Sequence, residues 1–180
     1  MILNNLFAWA SNGENGIVNN KPGNQTGKEL KVGNLYNFGQ NICIRFVDVK
    51  YGRIAGKIAK TLAKHPSIGY DQSGRYTLYS LAESCEWNID KLLEMLKTKK
   101  VECDCSSFIA TIINLTFNKK IVRCFTTSSM ERECSKLKQF TILPYSKAKD
   151  SFKKGDILVR RGKHTIINVW KENENDIKTN

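Results

Sequence analysis

The sequence predicts an α+β domain in which amphipathic helices pack on an antiparallel sheet. Three observations predict it. Helical periodicity dominates residues 53–116, alternating strand-like segments dominate 139–170, and Arg161-Gly162-Lys163 joins two of those segments as a tight hairpin. Helices followed by hairpin-connected strands segregate the two kinds of element, which favours α+β over an alternating architecture.

The elements follow in order. Residues 11–27, "SNGENGIVNNKPGNQTG", are dense in Gly and Asn, which tolerate positive φ, and read as loop. Residues 1–40 are therefore expected to form a loop-rich arm ahead of a body spanning 41–180, the whole being one domain. The alternation in "ICIRFVDV" predicts a strand over 42–49. Ile54, Ile58 and Leu62, four apart with Ala55 and Ala59 beside them, predict a helix over 53–65 that Pro66 stops. Residues 68–76 read as a turn, with a short helix through Leu78 and Leu81 after it. Asn88 is placed to cap a helix over "IDKLLEMLKTKK", whose basic end complements the dipole. Phe108, Ile109, Ile112 and Ile113 keep the helical period and face the core. Ser128 with Glu131 has the spacing of a capping box. Strands are expected at 139–143, 156–160 and 164–170.

Lys and Arg number 29 against 17 Asp and Glu, a formal net charge of +12. Such a field attracts polyanions: nucleic acid, anionic lipid or the anionic polymers of a bacterial wall. Charge alone does not choose among them. No apolar run is long enough to span a bilayer, and "MILNNLFAWASNG" lacks the basic start and apolar core of a signal peptide. The six cysteines are irregularly spaced with no C-x-x-C pair, so neither a zinc site nor a disulfide framework is expected, and no cofactor is called for.

The chemistry concentrates in residues 101–108, "VECDCSSF", where a cysteine opens a core helix. In the first helical turn Cys105 meets unpaired N–H groups and the positive end of the dipole, which favour thiolate and lower the pKa. Cys103 precedes the helix and points elsewhere. A thiol nucleophile needs a base, and the chain has two histidines. His65 ends a helix beside a proline. His164 opens a strand and shares its face with Ile166, Asn168 and Trp170. A helix-borne Cys packed against a strand-borne His is the pairing that papain-like enzymes use. Cys105 as a small buried hydrophobe and His164 as an ordinary strand-end residue are the structural alternatives.

"ECDCSSFIATIIN" followed by "KKGDILVRRGKHTIINV" resembles the NlpC-type, papain-like cell-wall cysteine peptidases, whose signature is Asp-Cys-Ser before a core helix and Gly-Asp-aliphatic before a His-led strand. The nearer likeness is to the phage lysin and tail-associated lysin branch, in which "GNQTGKE", "IGYDQSGRYTLY" and "ECDCSS" recur in this order. The resemblance covers about residues 8–170. It implies Cys105 as nucleophile, His164 as general base and acid, and Tyr70 as an oxyanion donor or substrate wall. It further places Asp71, Arg75, Ser106 and Gln25 around the substrate. In that family a polar group about twelve residues past the histidine orients the imidazole; counting forward reaches Asp176, and Asn168 is another candidate. The segment 77–101 is an insertion between tyrosine and cysteine relative to many relatives.

The resemblance implies a peptidoglycan hydrolase, an endolysin-like thiol endopeptidase or amidase. Its partners are bacterial peptidoglycan and, from the charge, anionic wall polymers, with no nucleic acid and no membrane span expected. The absence of a leader fits phage-type release or export. A Cys–His deamidase, transglutaminase-like or acyltransferase effector keeps the same site with another acyl chemistry. A basic zinc- or nucleic-acid-binding module is the non-enzymatic alternative, although neither finger spacing nor an aromatic-interleaved basic motif is present.

Overall fold

The computed structural model describes residues 5–11, 21–24 and 29–170. Three strands come first: β1 (Leu6–Ala10), β2 (Leu30–Asn34) and β3 (Ile42–Phe46). The helical half follows as α1 (Val49–Ala63), β4 (Ile68–Tyr70), α2 (Thr77–Ser84), α3 (Ile89–Met95), β5 (Val101–Cys103), α4 (Cys105–Thr116) and α5 (Met130–Ser135). Then come β6 (Phe140–Pro144), α6 (Tyr145–Ala148), β7 (Ile157–Arg160) and β8 (His164–Asn168).

The main sheet has the order β2-β1-β8-β7-β3-β6, with every neighbouring pair antiparallel. The fold is α+β with an antiparallel sheet, as the periodicities predict. The segregation of helices from strands is looser than expected. β1 and β2, from the stretch that reads as loop-rich, belong to the sheet, and β1 lies between β2 and β8. Residues 68–70, expected as turn, form β4, which pairs in parallel with β5 as a separate two-stranded sheet.

Local capping explains the helix boundaries. α1 starts at Val49 rather than 53 because the Asp48 carboxylate accepts the Lys50 N–H, 2.8 Å. Asn88 caps α3 as its position suggests, accepting from the Lys91 N–H. The Ser128–Glu131 box does not form. Ser129 is the N-cap of α5 and makes no cap bond, since its hydroxyl accepts from the Thr126 N–H of the preceding turn.

One face of the sheet, through Ala8, Ile44, Ile157, Val159 and Ile167, packs on the helices in the main core. The other face, through Phe7, Trp9, Cys43, Leu158 and Ile166, packs on Ala148 and Phe152. Helix α4 is buried along its whole length. Each of its fully buried isoleucines contributes about 1.5–3 kcal/mol of transfer free energy, so α4 is the pillar of the core. The turn into β7 rests on Gly155, whose φ of +85° and contact with Gly52 leave no room for a side chain. The next residue, Asp156, is fully buried and held by Arg45 in a two-pronged pair of 2.8 and 2.6 Å.

Candidate functional site

Cys105 is the first residue of α4, and a reciprocal cap fixes it there. The Asp104 carboxylate accepts the Ser107 N–H at 2.6 Å, while the Ser107 hydroxyl accepts the Asp104 N–H at 2.8 Å. β5 leads into this cap with only Asp104 between, so the small β4–β5 sheet sets the position of the helix start. Arg75 braces the same turn. Its Nη2 donates to Ser106 Oγ at 3.0 Å and to the Phe125 carbonyl, and its Nε lies 3.0 Å from Asp104 Oδ2. That last contact is a charge contact rather than an aligned hydrogen bond, because the Nε–H has no acceptor in line.

From the sheet side, the β1–β8 ladder ends at Ala8↔Ile167. Continued register would set Ala10 opposite Thr165, but no pair forms there. Along β8 the N–H groups alternate: Asn168 donates across β7 to Asp156, and Val169 donates toward β1 to Leu6. The Thr165 N–H therefore faces the gap that β1 leaves, and it is directed at the sulfur of Cys105. His164 is the residue immediately before. Its ring lies edge-on to Phe38 (5.2 Å between centroids) and 6.3 Å from Tyr36, which in turn meets Trp9 edge-on at 5.2 Å. The fold thus brings the thiol against β8 at the residue that follows the histidine.

The electrostatics depart from the expectation of a lowered thiol pKa. Burial pushes the Cys105 thiol up to about 12, and the neighbouring Asp104 carboxylate adds to it. The Thr165 and Ser106 N–H groups and Arg75 act in the other direction but do not outweigh desolvation. Burial also lowers His164 to about 4, and its Nε2 is buried without a hydrogen-bond partner. The resting pair at neutral pH is a thiol and an uncharged imidazole. Tyr70 is raised by burial, eased by the Gln72 amide at 3.4 Å, and raised again by Cys105, so its ring belongs to the same cluster. Tyr36 is raised to about 12 by burial and by Cys105.

The model of one family, the endolysin-like domain, matches residues 8–175. The chain belongs to the endolysin-like domain family. No curated protein and no solved structure matches it. Membership points to a hydrolytic role at the bacterial cell wall in general.

Within this endolysin-like domain the remaining candidates divide. Asp71 is buried, and its two carboxylate oxygens accept the N–H groups of Ser73 and Gly74, closing the turn after Tyr70. Ser106 donates to Asp104 and accepts from Arg75. The carboxylate of Asp71, the hydroxyl of Ser106 and Nη2 of Arg75 are thus engaged by the protein itself. Asn168 does not reach the imidazole: its amide bonds Asn5 and the Trp170 N–H. Gln25 and Asp176 lie outside the described residues. Tyr36 and Phe38, which wall the imidazole, were not anticipated; their only signal is the alternating aromatic pair in "YNF" just after β2. The described cysteines are free thiols, and the Cys103 thiol is directed at the Gly69 carbonyl. Among the described residues no three His, Cys, Asp or Glu side chains converge on a metal position, and no helix is long and apolar enough to cross a membrane.

Proposed function

We propose that this endolysin-like domain is a papain-like thiol hydrolase of the NlpC type that cleaves an amide bond in the peptide part of peptidoglycan. One observation supports the reading: the thiol at the capped start of α4 meets the Thr165 N–H of β8, and Thr165 directly follows His164, whose buried Nε2 has no partner. An uncharged imidazole with a free nitrogen is a base in waiting. Because the resting thiol is protonated, activation accompanies attack rather than preceding it. Cys105 Sγ adds to the scissile carbonyl as His164 takes the thiol proton. The oxyanion falls at the start of α4, where the backbone N–H of Cys105 and the Tyr70 hydroxyl are the donors. His164 then protonates the departing amine, leaving a thioester. A water attacks that thioester with His164 again as base, releasing the acid and restoring the thiol.

Arg75, Ser106 and Asp71 serve this reaction by holding the helix start and the Tyr70 turn. Asp176, by its count past His164, is assigned as the group that orients the imidazole, and Gln25 as a further amide near the oxyanion. The test is mass spectrometry of muropeptides after incubating purified walls with wild type and Cys105→Ala. New free termini from wild type alone support the reading and identify the bond. Identical products from both proteins, or none from either on several wall types, overturn it.

A further inference from the structure

Helix α1 carries Lys50, Arg53 and Lys57, and Lys64 is its C-cap, all four exposed. At 100° per residue these four fall within an arc of about 60°, a stripe about 21 Å long at 1.5 Å rise per residue. Between Val49 and Ala63 the helix has no Asp or Glu. The only acid at this end of the helix is the N-cap Asp48, whose carboxylate is bonded to the Lys50 backbone N–H. Six exposed cations elsewhere are ion-paired: Lys91 to Glu86, Lys97 to Glu94, Lys120 to Glu83, Arg123 and Lys136 to Glu133, and Arg161 to Glu131. Others, such as Lys99, Lys119, Lys138 and Lys149, are exposed and scattered, so the stripe is set apart by gathering four cations on one helix face with no acid among them. Among the described residues no ion pair reaches the four stripe cations. Lys154 flanks them, with its carbon chain so close over Gly56 that a Cβ there would meet Cγ at 3.0 Å.

We propose that this stripe docks an anionic, phosphodiester-bearing glycopolymer of the bacterial cell wall. A row of unmatched cations complements an extended polyanion. A bilayer fits less well, because the apolar face of α1 (Ala55, Ile58, Ala59, Leu62) is already spent on the core. Nucleic acid fits less well, because no aromatic side chain stands among the stripe cations for base stacking. The wall enters through the endolysin-like family, so the inference holds whether or not Cys105 is the nucleophile.

The experiment uses the full chain carrying Cys105→Ala, so that walls stay intact, and reads co-sedimentation over a range of salt. Lys50→Glu, Arg53→Glu, Lys57→Glu and Lys64→Glu together are compared with an equal charge change at Lys99, Lys119, Lys138 and Lys149. The stripe variant is expected to bind at least about tenfold more weakly, with a salt slope shallower by up to about 3, while the control keeps most of the affinity. Walls stripped of phosphodiester polymers by acid extraction should bind the parent as weakly, and soluble poly(glycerol phosphate) should compete. Equal losses in both variants would reduce the stripe to bulk charge and overturn the proposal. So would undiminished binding to extracted walls, or tighter binding to anionic vesicles or DNA than to walls. Circular dichroism checks folding, and a Gln set at the same four positions gives the same reading should the Glu set unfold. Muropeptide release by the active protein reports the Cys105 chemistry separately.

Discussion

His164 and Glu102 each bury one polar atom, Nε2 and Oε1 respectively, without a hydrogen bond, yet they occupy opposite situations. Burial drives both toward the uncharged form, His164 down to about 4 and Glu102 up to about 7. The imidazole reaches neutrality with margin at physiological pH, walled by Phe38 and by Tyr36, which is 38% exposed. Glu102 is only half neutral at pH 7, and Asp71 and Glu29 beside it add their repulsion to its desolvation. The first region is an orphan atom at a partly open wall. The second is a sealed acid cluster beneath β4 and β5. The same physical effect therefore prepares a base in one place and stores a pH-dependent liability in the other.

The largest effect separates the two regions by activity. Cys105→Ala and His164→Ala should each lower muropeptide release by about a thousandfold or more. If His164→Ala stays within tenfold of wild type, the imidazole is merely buried, as Glu102 is, and the comparison fails. The next effect lies in stability against pH. A histidine lowered in the fold loses stability as pH falls from 6.5 toward 4, because the unfolded chain binds the proton first. A raised glutamate loses stability as pH climbs from 4.5 toward 7, because the unfolded chain releases its proton first. Each contribution is at most about 3 kcal/mol, and in wild type they oppose each other. Glu102→Gln should unmask the histidine as a rise in denaturation midpoint from pH 4 to 6.5, and should exceed wild type above pH 7. An unchanged profile would mean that Glu102 is not the opposing group.

Smaller effects sharpen the picture. A Cβ at Gly74 would lie 1.9 Å from Glu102 Oε2, so Gly74→Ala should cost about 1–3 kcal/mol in denaturant unfolding and disturb Tyr70 and Arg75 with it. Tyr36→Phe keeps the ring beside His164 and should hold activity within about tenfold, whereas Tyr36→Ala removes that wall and should cost more. Equal kinetics for the two would deny the ring any part in placing the imidazole.

Much of this was legible where the cause is local. Asp104 before a core helix, Asn88 before α3 and the Arg161–Lys163 turn between β7 and β8 are short-range signals, and each is found where the sequence puts it. What failed to show depends on distance along the chain. β4 and β5 have three residues apiece and pair across a helical insertion, too short to carry a period. β1 and β2 flank a loop-rich stretch, and "LFAWA" is buried at four of its five positions, so it lacks the alternation that marks a one-sided strand. The Cys105 shift runs opposite to the sequence expectation because the helix dipole is visible in sequence while desolvation by a closed core is not. Tyr36 joins the site only through the path of the loop after β2, which no spacing encodes.

The position of β1 has a practical consequence for anyone trimming this protein. A chain begun at residue 41 would not be a tidier catalytic fragment. It would lose the strand that covers one side of β8 and the aromatic residues that back the imidazole, and β8 would become a bare margin, ready to recruit a strand from a neighbouring molecule. Such a truncation should clump before it loses its helices, and its silence in an assay would say nothing about the cysteine.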